Sequence, residues 1–472
     1  MNIELSKLHK ISPYLFMHFM EPLGTADSSI DAGWDFLHEK WQPKLLNIVK
    51  DLSPTMIRFG GCFASYYHWY EAVGPRSNRK TIFNLCWDGL YSNQVGTAEI
   101  VDFCSRVGAQ PLMIVNMESD GRMKWAYPKE GENRFGTSRE AAEWVDYCNN
   151  PDNKLRRAHG FEDPFNIKYW QIGNETSYDK SGYSAEQCAD ATLRFSKSMK
   201  SVDKTIKTLA WCDSGWADTI IEKAGDDIDI MAFHYHFGYS PESSTLYGTK
   251  YREDFEITWK YLMSAAEKLD KRLSEMKDSS LKLGKPIAMT EGHFSLKGRN
   301  RCEVLSTWAA GVSYARCMIV QEKYSDVLEI STLADFFGNR WQVNAVMLPT
   351  PYNSGNAYLM PVGKIMKLFR HHIGEFALKV NDIPRDVDCY ASITNDENKI
   401  FIHLVNTNIY EKVIIPINIK YKNAIVYEIS DEPEKEITEL SPDIFEPIVK
   451  TINDNCYTMP PASVSVIEIV LK

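Results

Sequence analysis

Over most of the chain, short apolar runs alternate with longer segments whose apolar positions recur every three or four residues. The runs are Tyr14–Met20, Met56–Phe59, Pro111–Asn116, Lys168–Glu175, Thr208–Asp213, Ile228–His236, Pro286–Glu291 and Val327–Asp335. Helical patterns such as Trp41–Leu52, Thr97–Val107, Ala185–Val202 and Asp254–Leu273 fall between them. Continuous apolar runs separated by amphipathic helices are the pattern of βα units, whose parallel strands are covered on both faces. Eight such units predict a (β/α)8 TIM barrel rather than an open sheet. Ser184, ahead of Ala185–Val202 and three residues before Gln187, reads as an N-cap with a capping box.

Beyond about Glu375 the pattern changes to short alternating strands, Ala391–Ile393, Lys399–Val405, Lys412–Ile417, Asn423–Ile429 and Ser463–Leu471, with turns such as Asn395–Asn398 between them. This predicts a C-terminal antiparallel β-sandwich, jelly-roll-like, of about a hundred residues. Met1–Leu8 alternates in the same way and is expected to add a strand to it. The expected division is therefore 9–372 for the barrel, and 1–8 plus 373–472 for the sandwich.

Composition narrows the class of protein. The 472 residues leave room beside a barrel of about 250. A net charge of −10 argues against nucleic acid or an anionic membrane as partner, since both need a basic surface. No stretch of 18 apolar residues occurs and the N-terminus has no apolar leader-like region, so the expected location is cytoplasmic. Ten scattered cysteines without a C-x-x-C pair read as buried, reduced thiols. The mixed charges of Lys250–Lys285 read as a solvated helix and loop face, and Arg156-Arg157 as a solvated pair.

Barrel enzymes place their chemistry at the C-terminal ends of the strands. Here the fourth run ends in Gly173-Asn174-Glu175 and the seventh in Thr290-Glu291-Gly292. Glycosidic cleavage needs two carboxylates flanking the scissile bond, and in a retaining enzyme they are only about 5–5.5 Å apart. Glu175 and Glu291 are the candidate pair, with Asn174 placed to donate to a sugar hydroxyl. His234 and His236 share one strand face, so they read either as pocket residues or as ligands of a shared metal. The pocket reading is preferred, with no metal and no cofactor expected. Trp69, Trp87, Trp125 and Trp341 are candidate stacking platforms, core or rim packing being the alternative for each.

Several ordered blocks resemble glycoside hydrolase family 51, the α-L-arabinofuranosidases: Ile11–Glu21, Ile57–Phe63, Tyr67-His68-Trp69, Gly74-Pro75-Arg76, Ala141–Tyr147, Tyr169–Glu175, Ile228–His236, Ala288–Glu291 and Pro361–Phe369. The resemblance implies Glu175 as acid/base, Glu291 as nucleophile and Asn174 as a hydroxyl ligand. Glu21, Arg58 and Cys62 would line the subsite of the terminal sugar, and the protein would commonly be a homo-oligomer. The sequence departs from the family around that subsite. Phe59 runs straight into Gly60-Gly61 without the usual Pro, and His236 stands where a Tyr is expected. Gly292-His293 follows the nucleophile in place of a Trp, and Trp341 or Gln342 falls where a sugar-contacting Gln is expected. The implied function is an exo-acting retaining glycosidase that releases a terminal furanose from oligosaccharides, α-L-arabinofuranose first. A β-D-galactofuranosidase or glucan-acting relative, a carbohydrate-binding protein without turnover, and a metal-dependent barrel enzyme are the alternatives.

Overall fold

A computed structural model of the chain describes all residues except 25, 26, 28, 119–133, 179–183, 238–245, 297–301, 351–353 and 454. Seven parallel strands, Met17–Met20, Met56–Phe59, Gln110–Val115, Tyr169–Ile172, Lys207–Trp211, Ile230–Phe237 and Ile287–Phe294, lie side by side in chain order. The eighth comes in two pieces that close the ring. Leu328–Ile330 pairs with the seventh strand, and Asp335–Gly338 pairs with the first through Asp335 and Phe19. Between the pieces, Met17 N donates to Ser331 O (3.0 Å) and Ser331 N to Tyr14 O (3.1 Å). Each expected apolar run lies on one of these eight strands, and the expected barrel is the observed one.

Met17, Met56, Leu112, Tyr169, Leu209, Ile230, Ala232, Ala288 and Ile330 form one buried cluster inside the barrel. Every strand contributes to it, so the barrel is filled rather than hollow, as in other barrels of this type. Polar chemistry is left to the C-terminal end.

The helices Thr97–Val107 and Ala185–Val202 have the predicted bounds, and Ser184 caps the second by accepting from Gln187 N (3.2 Å) while Gln187 Oε1 accepts from Ser184 N (2.9 Å). The helix after the sixth strand, Phe255–Leu283, continues well past Leu273. Trp259, Leu262, Met263, Leu269, Leu273 and Met276 line its buried stripe, so Lys250–Lys285 is solvated on one face only. The last turns bury only Met276 and Ser280 among many charges, which is why apolar periodicity stops short of the true end.

The C-terminal region is a seven-stranded antiparallel sheet in the order Asn2–Glu4, Phe376–Asn381, Val387–Ile393, Lys399–Asn406, Ser463–Leu471, Tyr421–Ser430, Ile448–Thr451. The N-terminal strand joins it through Ile3 opposite Val380. A two-stranded pair, Val413–Pro416 with Cys456–Met459, packs Ile415 and Met459 against Leu404, Val426 and Ile467 of the large sheet. The opposite face meets the barrel, where His403 Nδ1 lies 2.8 Å from Glu322 Oε1 and Trp308 Nε1 donates to Ala462 O (2.6 Å).

Two expectations are corrected. Arg156 is fully buried, and its guanidinium donates to the carbonyls of Tyr147, Asn150, Pro151, Phe161 and Glu162. It supplies donors to the carbonyls of the loop folded around it, while Arg157 stays solvated. All ten cysteines are free thiols, but Cys456 is exposed and Cys62 and Cys86 are only part-buried. Among the described residues no helix is long and apolar enough to cross a membrane.

Candidate active site

The turn that follows the fourth strand is tightly specified. Gly173 takes φ +70° and Glu175 takes φ +52°, a left-handed conformation that is uncommon for a residue with a side chain. This backbone keeps the Glu175 carboxylate over the barrel mouth, where the residue is 6% exposed. Oε1 of Glu175 lies 2.9 Å from His234 Nδ1, and Cys62 Sγ lies 3.7 Å from Oε2. On the sixth and seventh strands His234 is the cross-strand neighbour of Glu291, and His236 that of His293. Successive tiers of side chains therefore rise from the barrel.

In the lower tier, His234 Nδ1 is 3.5 Å from Glu291 Oε2 as well as 2.9 Å from Glu175 Oε1. Ligand atoms of Glu175, His234 and Glu291 all lie within 4.8 Å of one another. Burial lowers the His234 pKa to about 3, so the ring is neutral. Its partners fix the tautomer: Nδ1–H donates to Glu175, and Nε2 accepts from the Thr290 hydroxyl at 3.0 Å. Among the described residues, these three are a group that could hold a metal ion. The Glu291 charge is, however, already balanced by Arg58, whose Nη1 donates to Oε1 at 2.7 Å.

Arg58 is wholly buried. Its Nη2 donates to Asn174 Oδ1 (2.6 Å) and its Nε to Gln171 Oε1 (3.1 Å), so one guanidinium ties the second, fourth and seventh strands together. The expectation that Arg58 lines the sugar subsite is corrected, because it lies behind Glu291 with no exposed surface. Arg58→Met is expected to destabilise the fold by about 3–5 kcal/mol, the usual cost of leaving a buried carboxylate without its partner. Urea unfolding checks this, and Arg58→Lys should recover only part, since an ammonium cannot make the forked contact.

His18 is also buried, with burial lowering its pKa to about 3. For His18 and His234 the sign runs one way. Below the unfolded value of 6.5 the unfolded chain takes up protons that the fold refuses, so stability falls as pH drops from about 6.5 towards 3. Melting temperatures should decline across that window, and His234→Asn should flatten the decline. An unchanged slope in that variant counts against a neutral His234.

The cavity above the carboxylates has a volume of about 510 Å³. Its wall includes Glu21, Cys62, Trp87, Glu175, Glu291 and Trp341, together with His236. Glu21 Oε2 accepts from Phe63 N (2.9 Å) and Oε1 from Trp87 Nε1 (3.0 Å). Burial, reinforced by the Glu291 charge, pushes the Glu21 carboxyl well above its usual range, and burial beside Glu175 does the same to the Cys62 thiol. Gly61 takes φ +105°, and a Cβ there would sit 2.4 Å from Glu21 Oε2. Gly61 is what lets the second strand's turn approach Glu21.

Asn174 is buried beside Arg58, its Nδ2 3.9 Å from Cys62 Sγ at the edge of the cavity. His236 Nε2 lies 3.7 Å from Glu291 Oε2, outside hydrogen-bond distance and one tier further out. Gln342 is not part of the wall; its Oε1 accepts from Cys302 N at 3.1 Å. Trp69 is core, stacked on Trp144 with a 4° interplanar angle, while Trp87 and Trp341 face the cavity and Trp125 lies outside the described residues. Sequence reasoning did not single out Tyr178, Asp335 or the wall position of His293. The available signal was that His293 shares a strand face with Glu291, and that Asp335 ends the eighth apolar run.

Fold and site together give a (β/α)8 barrel with paired carboxylates at the ends of its fourth and seventh strands. Residues 48–254 match the family model described as the alpha-L-arabinofuranosidase 1 domain. Alpha-L-arabinofuranosidase C of Emericella nidulans is 32% identical over 213 residues, 43% of this chain and 39% of that protein. The intracellular exo-alpha-(1->5)-L-arabinofuranosidase of Halalkalibacterium halodurans is 30% identical over 250 residues, 49% of this chain and 47% of that protein. These matches span less than half the length of the curated relatives. Over the whole chain, the alpha-L-arabinofuranosidase of Thermotoga maritima, solved with arabinose, superposes with a TM-score of 0.77 at 27% identity, covering 99% of each chain. The GH51 alpha-L-arabinofuranosidase of Thermotoga petrophila gives 0.77 at 26% identity, covering 99% of this chain and 98% of that one. Over its whole length the chain is thus similar in fold to solved α-L-arabinofuranosidases, and over 48–254 in sequence to their family model.

Proposed function

We propose that this protein is an exo-acting, retaining glycoside hydrolase that releases a terminal furanose, α-L-arabinofuranose first, from oligosaccharides. The observation that carries the reading is the approach of carboxylate oxygens of Glu175 and Glu291 to within 4.8 Å across the barrel mouth. An approach of that kind supports direct attack by one carboxylate, whereas an inverting enzyme leaves room for a water between its pair. Glu291, held by Arg58, attacks the anomeric carbon while Glu175 protonates the departing oxygen. The His234 N–H then supports the Glu175 carboxylate, which takes a proton from the water that releases the sugar. Asn174, Cys62 and Glu21 serve as sugar ligands. No metal or cofactor takes part.

The reading extends to organisation: a catalytic barrel over 9–372, a sandwich of 1–8 plus 373–472, and a homo-oligomer. A cytoplasmic location is supported by the relative named as intracellular. The direct test is a panel of aryl furanosides and pyranosides, with the anomer first released followed by NMR. Release of arabinose with retained configuration is expected. Cleavage confined to a galactofuranoside or a glucan would reassign the sugar, and stoichiometric binding without release would remove the hydrolase reading.

A further inference from the structure

Glu175 is held by more than its own strand. Asp213 closes the fifth apolar run as Glu175 closes the fourth, and the two strands pair, with Ala210 opposite Ile172. The Asp213 carboxylate is buried. Its Oδ2 accepts from the Tyr178 hydroxyl at 2.8 Å and from the backbone N of His234 at 3.4 Å. Arg272, on the helix Phe255–Leu283, supplies the opposite charge through Nη2 to Oδ1. Tyr178 stands three residues after Glu175, and its backbone N donates to the Glu175 carbonyl at 3.0 Å. Burial, with the charges of Asp213 and Glu175, pushes the Tyr178 phenol well above its usual range, so it stays a donor. Beside it, Ser177 Oγ accepts from Trp211 Nε1 at 2.8 Å and donates to Ser214 Oγ at 2.8 Å. One carboxylate therefore grips both elements that place the Glu175 carboxyl. These are the turn with its left-handed φ of +52°, and the strand whose His234 Nδ1 donates to Oε1 at 2.9 Å. Asp213 itself lies behind the cavity wall rather than on it.

We propose that Asp213, acting through the Tyr178 hydroxyl and the His234 backbone, is a positioning residue for Glu175 that fixes where its proton meets the departing oxygen. The inference rests on the glycosidase reading above and adds a residue to it. A proton donor works only within hydrogen-bond reach of the atom it protonates. An uncommon backbone conformation persists only where its surroundings over-determine it, and the contacts of Tyr178 and Ser177 do so here. Without the Tyr178 hydroxyl bond the turn relaxes and the Glu175 carboxyl drifts from the leaving oxygen. Glu291 is held separately, by Arg58 on the second strand. Loosening the turn therefore weakens protonation and leaves the attack by Glu291 in place, so the effect is confined to leaving groups that need a proton.

The test compares the wild type with Tyr178→Phe, Asp213→Ala, their double variant and Glu175→Ala, on an arabino-oligosaccharide and on a dinitrophenyl α-L-arabinofuranoside. Tyr178→Phe keeps the ring and removes only the donor. Its kcat/KM on the oligosaccharide should fall about 10- to 100-fold, carried by kcat with KM little changed, the usual cost of a misplaced group. On the dinitrophenyl furanoside kcat/KM should stay within about twofold of the wild type while kcat and KM fall together, because only release of the intermediate is slowed. Asp213→Ala should show the same split, and the double variant should lose no more than Asp213→Ala alone, since both substitutions break one contact. Should Asp213→Ala fail to fold, the split in Tyr178→Phe decides. Equal slowing of Tyr178→Phe on both substrates, or none on either, overturns the inference, as does full additivity in the double variant. Leaving-group dependence in Glu175→Ala then keeps the glycosidase reading intact. A wild type inactive on every furanoside, or a Glu175→Ala without that dependence, rejects the acid/base reading and this inference with it.

Discussion

Glu291→Ala is expected to lower turnover by about 10⁵-fold on every substrate, whatever the leaving group, because it removes the atom proposed to bond to the anomeric carbon. The loss should be nearly complete even on dinitrophenyl glycosides, where no proton donor is needed. Added azide should restore part of the rate by entering the space left by the carboxylate, and the glycosyl azide formed should have inverted configuration. Glu291→Gln separates chemistry from folding. Its amide oxygen still accepts from Arg58 Nη1, which lies 2.7 Å from Oε1 in the native protein, so stability should be largely kept while activity is lost. Glu291→Ala leaves the buried guanidinium without its carboxylate and should also melt earlier. A Glu291→Ala protein with more than about a hundredth of native activity would mean that another group forms the bond.

The two catalytic candidates were legible in the sequence because strands buried on both faces read as continuous apolar runs, and a polar residue closing such a run stands out. Glu175 and Glu291 each end one. The orientation of side chains within the runs was much less legible. Arg58 sits in Met56–Phe59, and sequence alone does not say whether its guanidinium points to the sugar or behind Glu291; only the neighbouring strands decide that. Arg156 and Arg157 are chemically identical neighbours, yet one is buried and the other solvated because the loop carbonyls converge on a single position. The edge strands Ile448–Thr451 and Cys456–Met459 escaped notice for a related reason. The first is exposed throughout and the second alternates over only four residues, so tertiary pairing rather than local pattern makes them strands. Gln342 shows the converse: placed by analogy with a sugar contact, it turns instead to a backbone amide, while Trp341 beside it faces the cavity.

The effect of removing Glu175 should depend on the substrate, and that dependence distinguishes an acid from a residue that merely shapes the pocket. Glu175→Ala should slow cleavage of an arabino-oligosaccharide by about 10²–10⁴-fold, the usual worth of a positioned proton donor. On a dinitrophenyl furanoside, whose leaving group departs without a proton, bond cleavage should be nearly unaffected. The second step should still suffer, because no base then activates the water, so the glycosyl intermediate accumulates and KM falls together with kcat. Azide should accelerate this variant too, yet give a product of retained configuration, since the anion now replaces water in the second step rather than Glu291 in the first. On the proposed reading, His234 modulates the same proton. Its neutral N–H donates to Oε1, which steadies the carboxylate once the proton has left. His234→Asn should therefore shift the acidic and basic limbs of the kcat/KM profile without the leaving-group dependence that Glu175→Ala shows. Equal slowing of Glu175→Ala on activated and unactivated substrates would assign the proton to another residue.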